Sequence, residues 1–366
     1  MIYITVAILV LLTVSGGVIL NHPKFGQLPS GERLDRIKKS PNYKDGSFQN
    51  QSFTPVMAEN VSYFSALKEF FFDKNERSTP IGKIPSKKTD LLNLDINKNV
   101  LVWFGHSSYF MQIDGKKILV DPVLSSHASP FSFTIKAFDG SCIYTAEDIP
   151  EIDYLFISHD HWDHLDYEAI TQLKPKIKNV ICGLGTGEHF ESWGYSKGII
   201  SEMDWYEHIT PDAGFTVHSV PARHFSGRGF KRNQSLWSSF VLQTPSMKIF
   251  IGGDSGYDKH FAEFGKNFGP IDLAILENGQ YDHKWKYIHT LPEQIPQIFS
   301  ELQAKRLFAV HSSKFVLANH AWDEPMIKLA ANSKKHNIPL ITPMIGEEVN
   351  LNDTLQQFTE WWTEVD

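Results

Sequence analysis

The sequence predicts an α/β protein, with sheet layers and outer helices in one large domain behind an N-terminal hydrophobic anchor. Three observations lead there. Short apolar runs of strand length come first in series and then interleave with helical stretches. His and Asp residues recur at the ends of those runs between His159 and His311, and side chains that must share one site place their strands in one domain. The first charged side chain is Lys24, so the chain opens on an uncharged stretch. Length alone, 366 residues, suggests two or three domains. Convergence of the His and Asp residues argues instead for an anchor or uncleaved signal segment (1–22), an extended arm (23–98) and one domain (99–366).

Composition sets the outer limits. With 42% hydrophobic and 21% charged residues, the chain is not wholly disordered. Its 35 basic and 42 acidic residues leave a formal charge of −7, so no basic surface for nucleic acid is expected. Two cysteines, Cys142 and Cys182, exclude a disulfide scaffold and a four-cysteine zinc module. Histidine is the conspicuous residue, at 16.

Along the chain, Ile2 to Leu20 is uncharged and apolar, about 28 Å of helix and close to the thickness of a bilayer's hydrocarbon core. A retained membrane anchor is the expectation. Lys24, Arg33, Arg36, Lys38 and Lys39 follow it, which leaves the domain cytoplasmic by the positive-inside rule. A cleaved signal peptide, with a periplasmic or secreted domain, is the rival; it lacks the basic residues that should precede the apolar run. A buried core helix is the third reading. Residues 21–60, rich in Pro, Gly, Ser, Asn and Gln, read as a linker or arm. Tyr63, Phe64, Leu67, Phe70 and Phe71 recur at helical spacing, for a helix packed on the domain or resting on a membrane.

From Asn99 onward strands are expected at Val100–Phe104, Tyr109–Ile113, Ile118–Val120, Tyr154–Ile157, Val180–Cys182, Phe215–Val220, Ser239–Gln243, Ile249–Ile251, Leu273–Leu276, Leu307–Val310 and Leu340–Thr342. Asp114-Gly115 supplies a hairpin turn. Helices are expected at Tyr167–Leu173, Gly187–Trp193, Lys259–Phe264, Pro292–Gln303 and Glu324–Lys335.

The strongest chemical signal is His159-Asp160-His161-Trp162-Asp163-His164, one residue beyond the strand Tyr154–Ile157. Three imidazoles and two carboxylates in six residues are costly to bury without a partner, although a surface turn could carry them. Asp121, His224, Asp254 and His311 each follow an apolar strand, and strand ends on one sheet edge lie close in space. A metal site is the expectation.

This arrangement resembles the metallo-β-lactamase superfamily over Val100 to Glu347. The resemblance implies a four-layer αββα sandwich holding two metals, zinc by preference, with iron or manganese as alternatives. It implies His159, His161 and His224 as ligands of one metal, Asp163, His164 and His311 as ligands of the other, and Asp254 bridging. Asp121 matches a supporting acidic position, and His106 is a candidate to orient the ligands. Longer strings are similar to the N-acyl-phosphatidylethanolamine-hydrolysing phospholipase D group. They are Trp103-Phe104-Gly105-His106-Ser107-Ser108, Pro221-Ala222-Arg223-His224-Phe225-Ser226-Gly227-Arg228-Gly229, Gly252-Gly253-Asp254-Ser255-Gly256-Tyr257, Lys286-Tyr287-Ile288-His289 and His311-Ser312-Ser313-Lys314-Phe315.

That likeness implies a membrane-associated phosphodiesterase acting on a phospholipid or other phosphodiester, with a hydroxide shared by the metals attacking phosphorus. Asp163, Asp254 and His289 are the catalytic candidates. His289 would bind the phosphoryl group or protonate the leaving oxygen; the alternative is a solvated loop histidine. Arg223 and Arg228 would attract phosphate or make ordinary ion pairs. Gly252-Gly253 would let the backbone pass close to the metals. Trp361-Trp362 would touch membrane or close a terminal helix against the core. The competing functions are a lactonase or small cyclic phosphodiester hydrolase of the same fold, an oxygen- or nitric-oxide-reducing di-iron protein, and a non-catalytic membrane-tethered binding protein.

Overall fold

Period-two alternation in the short apolar runs decides which way each strand faces. The computed structural model describes residue 17 and residues 21–365, without the side chains of residues 66, 67, 70 and 71. The arm carries helix α1 (Gly31–Ile37), a small hairpin of β1 (Tyr43–Lys44) and β2 (Ser47–Phe48), and helix α2 (Tyr63–Phe72). The first sheet is then laid down by β3 (Val100–Trp103), β4 (Tyr109–Ile113), β5 (Lys116–Val120) and β6 (Tyr154–Ile157). Helix α3 (Tyr167–Leu173), β7 (Val180–Gly183), helix α4 (Gly187–Ser192) and β8 (Ile200–Met203) complete it. The second sheet takes β9 (His208–Asp212), β10 (Phe215–Pro221), β11 (Ser238–Gln243), β12 (Lys248–Ile251) and, after helix α5 (His260–Phe268), β13 (Leu273–Glu277). Helix α6 (Ile295–Glu301), β14 (Leu307–Val310), helix α7 (Glu324–His336) and β15 (Leu340–Ile341) follow, and β16 (Glu348–Asn350) returns to the first sheet.

Each sheet has seven strands, ordered β16-β3-β4-β5-β6-β7-β8 and β15-β14-β13-β12-β11-β10-β9. Each is antiparallel on one side and parallel on the other, the change falling at β5 in the first and at β12 in the second. Leu101 and Trp103, Ile118 and Val120, and Tyr154 and Phe156 face the second sheet. Their neighbours Val100, Val102, Leu119, Leu155 and Ile157 face outward, against Ile170 and Leu173 of α3 and Phe190 of α4. Ring pairs join the sheets: Phe156 with Phe240 at 5.4 Å, and Trp103 with Phe308 at 6.2 Å. On the far side Phe250 meets Phe261 and Phe264 of α5. Helices thus cover both outer faces, the αββα layering expected from the sequence.

Besides the small β1–β2 hairpin, three strands of the large sheets, β8, β9 and β16, escape a search for apolar runs, and all three are sheet edges. Edge strands carry polar residues and proline because one side of their backbone is unpaired; β9 reads His-Ile-Thr-Pro-Asp. The helix expected over Pro292–Gln303 splits into a 3-10 turn, Pro292–Gln294, and α6. Pro296 has no N–H, so the α-helical ladder restarts around it. Trp361 and Trp362 lie buried in the inter-sheet core, and Trp361 Nε1 donates to Pro343 O; neither reaches a membrane.

The arm is packed on the domain. Ile37 and Phe48 join Leu184, Trp205, Leu236 and Trp237 in a separate cluster. Arg33 is bonded to Glu188, Glu191 and Glu202 together. The expected anchor over residues 2–20 lies, apart from Gly17, outside the described residues. Among the described residues no helix is long and apolar enough to cross a membrane.

Candidate metal centre

Sheet direction alone brings the candidate residues together. Strands β3, β5 and β6 run the same way in the first sheet, and β10, β12, β13 and β14 do so in the second. Their C-terminal ends form one rim of each sheet. His106, Asp121 and the loop from His159 to His164 follow the first rim; His224, Asp254 and His311 follow the second.

The donors converge in overlapping groups. His159, His161 and His224 form one, with His159 Nε2 at 2.8 Å and His224 Nε2 at 3.2 Å from His161 Nδ1. Asp163, His164 and His311 meet with His106 in another. Asp254 lies between them: Oδ1 is 3.2 Å from His164 Nε2 and 3.0 Å from His311 Nδ1, while Oδ2 is 3.9 Å from His159 Nε2 and 3.7 Å from His224 Nε2.

This donor set fits a cation. Burial holds the His159 and His224 rings well below the usual imidazole range and lowers His161 to about 4, so three neutral rings aim lone pairs at a common centre. His164 moves the other way: although burial opposes it, the Asp254 and Asp163 carboxylates hold a proton on it well above the usual range. A dication would satisfy the same demand for positive charge. Asp254 Oδ1 and His164 Nε2 are also buried without an aligned hydrogen bond.

The rings are oriented from behind. Asp121 Oδ2 lies 2.8 Å from His164 Nδ1 and accepts from Ser158 Oγ at 2.6 Å, while its Oδ1 accepts from Ser158 N at 2.8 Å. His106 Nε2 pairs with Asp163 Oδ2 at 2.9 Å, and burial lowers that ring to about 3. His224 Nδ1 pairs with Ile288 O at 2.8 Å. Such contacts set the tautomer and aim the other nitrogen inward. The backbone is strained at the same places, with positive φ at His106, Asp121 and His311. Gly253 has φ +58, and a Cβ there would lie 2.7 Å from Ser158 Cβ, so this glycine lets the two rims approach.

His289 lines the same cavity and pairs through Nδ1 with Glu277 Oε2 at 2.6 Å. Burial opposes its proton, yet Glu277 wins and holds the ring above its ordinary value. It is therefore not a solvated loop histidine. Glu277 is a residue that sequence reasoning missed. It ends β13 as one polar residue after an apolar run, and that is the signal that could have marked it. Its Oε1 accepts from Ser255 N and Thr290 N, which ties Asp254's neighbour to His289's.

Asn50, in the arm, was also missed. It donates to His224 O at 2.7 Å and accepts from His224 N at 3.1 Å, fixing that backbone by both groups. Arg223 and Arg228 do not face the cavity. Arg223 donates to Thr54 Oγ1, Phe53 O and Tyr257 O; Arg228, 4% exposed, donates to the carbonyls of Lys24, Asp160 and Leu165.

A family model described as a β-lactamase superfamily domain matches residues 116–312. An uncharacterized protein of Mycobacterium tuberculosis is 32% identical over 329 residues, 89% of this chain and 88% of that protein. The N-acyl-phosphatidylethanolamine-hydrolyzing phospholipase D 1 of Caenorhabditis elegans is 30% identical over 227 residues, 57% of this chain and 62% of that protein. A metallo hydrolase from the archaeon Ignicoccus hospitalis superposes with a TM-score of 0.52 at 18% identity, over 69% of this chain and 98% of its own. That last likeness is one of fold. Taken with the family match across both rims, these findings identify the chain as a member of the β-lactamase superfamily, a metallo-hydrolase with a divalent-metal site.

Proposed function

We propose that the protein is a membrane-associated phosphodiesterase of phospholipase D type, acting on N-acyl-phosphatidylethanolamine-like lipids. The observation that carries this reading is the wall of the cavity over the clustered donors. Val56, Met57, Phe225, Trp285, Ile288 and Leu317 line about 280 Å3 above His161, Asp163, His224, Asp254 and His311. A charged floor under apolar walls matches an amphipathic phosphodiester better than a small polar lactone. The likeness to the nematode phospholipase D supports the same class.

In this reading His159, His161 and His224 hold one divalent cation, Asp163, His164 and His311 hold a second, and Asp254 reaches both. Bound there, zinc, iron or manganese would supply an acidified water and positive charge for the phosphoryl oxygens. The chain's own residues do the rest. A water oxygen joins phosphorus as the bond from phosphorus to the head-group oxygen breaks, and that oxygen needs a proton. His289, kept protonated by Glu277, supplies it and is left neutral, and the proton given up by the water restores the ring. The products are a phosphatidic acid and an amide-bearing alcohol. Asp163 and Asp254 hold the charged end of the site in place.

Membrane access enters at the arm. Glu69 of α2 bonds to Lys284 and to Asn319, next to the wall residue Trp285 and close to Leu317. The same helix leaves Tyr63, Phe64 and Phe72 exposed. With residues 2–20 as an anchor, the domain lies on the cytoplasmic face.

The test is release of phosphatidic acid from N-acyl-phosphatidylethanolamine in mixed micelles, lost on chelation and restored by zinc, iron or manganese. A protein with full cation occupancy that releases it from no lipid overturns the proposal. Turnover of a lactone or cyclic phosphodiester instead would move the site to that reading.

A further inference from the structure

Asp160 stands between His159 and His161 but does not join the donors. It is 4% exposed and faces away from the cavity, where it accepts from Gly227 N at 2.6 Å and Ser235 Oγ at 2.8 Å and pairs with His189 Nε2 at 3.1 Å. The other nitrogen of His189 accepts from Gln27 N at 3.1 Å. One imidazole therefore links the start of the arm to the loop that carries His159, His161, Asp163 and His164.

Two further links run in parallel. The Arg228 guanidinium donates to Lys24 O through Nε and Nη2, and through Nη1 to Asp160 O at 3.0 Å and Leu165 O at 2.6 Å. It stacks over Trp162 at 3.9 Å, and Phe25 meets the same indole edge-on at 5.1 Å. Trp193 Nε1 donates to Pro23 O at 2.8 Å. Gly26 makes the fit possible, since at φ +68 a Cβ there would lie 2.0 Å from His189 Nδ1.

We propose that Pro23–Gln27 is a working part of the metal centre. Clamped by the positioning residues His189 and Arg228, it orders the loop from His159 to His164, so cation binding and attachment of this segment strengthen each other. The inference rests on the reading of His159, His161, Asp163 and His164 as cation donors. It also assigns Asp160 and Trp162, two members of the motif that bind no cation in that reading.

Coupling between two binding events must be reciprocal, and that permits a test on the unaltered full chain in detergent. The bond after Lys24 is a trypsin site whose carbonyl is held by Arg228. Cleavage at that bond, followed by mass spectrometry, should be about tenfold slower in zinc-saturated protein than in chelator-stripped protein, the lower end of what indirect support of a metal contributes. Equal rates overturn the coupling. In the other direction, Gly26→Val should free the Lys24 bond and weaken zinc about tenfold in competition with a chromophoric chelator. Trp193→Phe, which removes the bond to Pro23 O and keeps an aromatic ring beside Arg228 and His189, should do both to a smaller degree and covers the case in which the valine variant does not fold. Faster cleavage with unchanged zinc affinity would reduce the segment to packing and overturn the inference. A wild-type chain that holds no divalent cation would overturn the metal reading and this inference with it, an outcome separable by elemental analysis.

Discussion

The two sheets feed one centre in opposite ways. The first delivers His159, His161, Asp163 and His164 from one loop after β6. The second delivers His224, Asp254 and His311 one at a time, each from a different strand end. Their support differs too. The first set has its rings held by neighbours on its own rim, Asp121, Ser158 and His106, and its loop backbone tied to the start of the arm through Arg228 and His189. The second leans on the arm through Asn50, and on the Ile288 carbonyl. The rings of one loop can be aimed by contacts on their own rim; a scattered set exists only once the register of the second sheet is right.

The largest effect should come from the residue that spans both sets. Asp254→Asn should lower turnover by at least about 1000-fold, because groups acting as a unit fail together. A smaller loss, with elemental analysis showing both cations retained, would mean that the rims work independently. Next is His289→Ala. As a proton donor it should cost at least about 100-fold in kcat with cation content unchanged; a loss of cation instead would make His289 a ligand. Asp121→Asn should weaken cation binding by about 10–100-fold, acting through His164 and Ser158. Chelator competition would show whether one cation or both respond, which is the direct measure of how separate the two sets are.

Asn50→Ala should lower stability by about 1–3 kcal/mol, since it leaves His224 N and O without their partner. Denaturant unfolding measures it. An unchanged midpoint would mean that the second rim does not depend on the arm. The smallest effect concerns α2. Lys284 and Asn319 hold the Glu69 carboxyl below its ordinary value of 4.5. A depressed carboxylate stabilises the folded contact at pH above that value and loses it as pH falls through the lower folded value. Hydrogen-exchange protection over Tyr63–Phe72, taken relative to the intrinsic rate at each pH, should therefore fall only on acidification, and Glu69→Gln should lower it modestly at neutral pH. Exchange independent of both would detach α2 from the cavity wall.

Most strands were legible because burial on both faces makes Val100–Trp103 or Tyr154–Ile157 an unbroken apolar run, written in consecutive residues. The edges β8, β9 and β16 were not, since an edge needs little apolar surface to pair. The same contrast holds at the site. The His-rich loop announces itself, and His224, Asp254 and His311 are found because each ends an apolar run. Glu277 ends one too and was passed over; only its 2.6 Å contact with His289 shows what it does. Asn50 carries no local sign, because its partner is 174 residues away.

By itself, then, the sequence determined the class of the fold, the residues able to bind a cation and the rim on which they would gather. These follow from periodicity and from strand ends, both local properties. The tertiary structure decided the fate of each charge. It turned Arg223 and Arg228 from candidate phosphate binders into braces, set Asp160 against His189 and buried Trp361 and Trp362. A charged or aromatic side chain takes its role from whatever lies within a few ångströms, and in this chain those neighbours come from distant sequence.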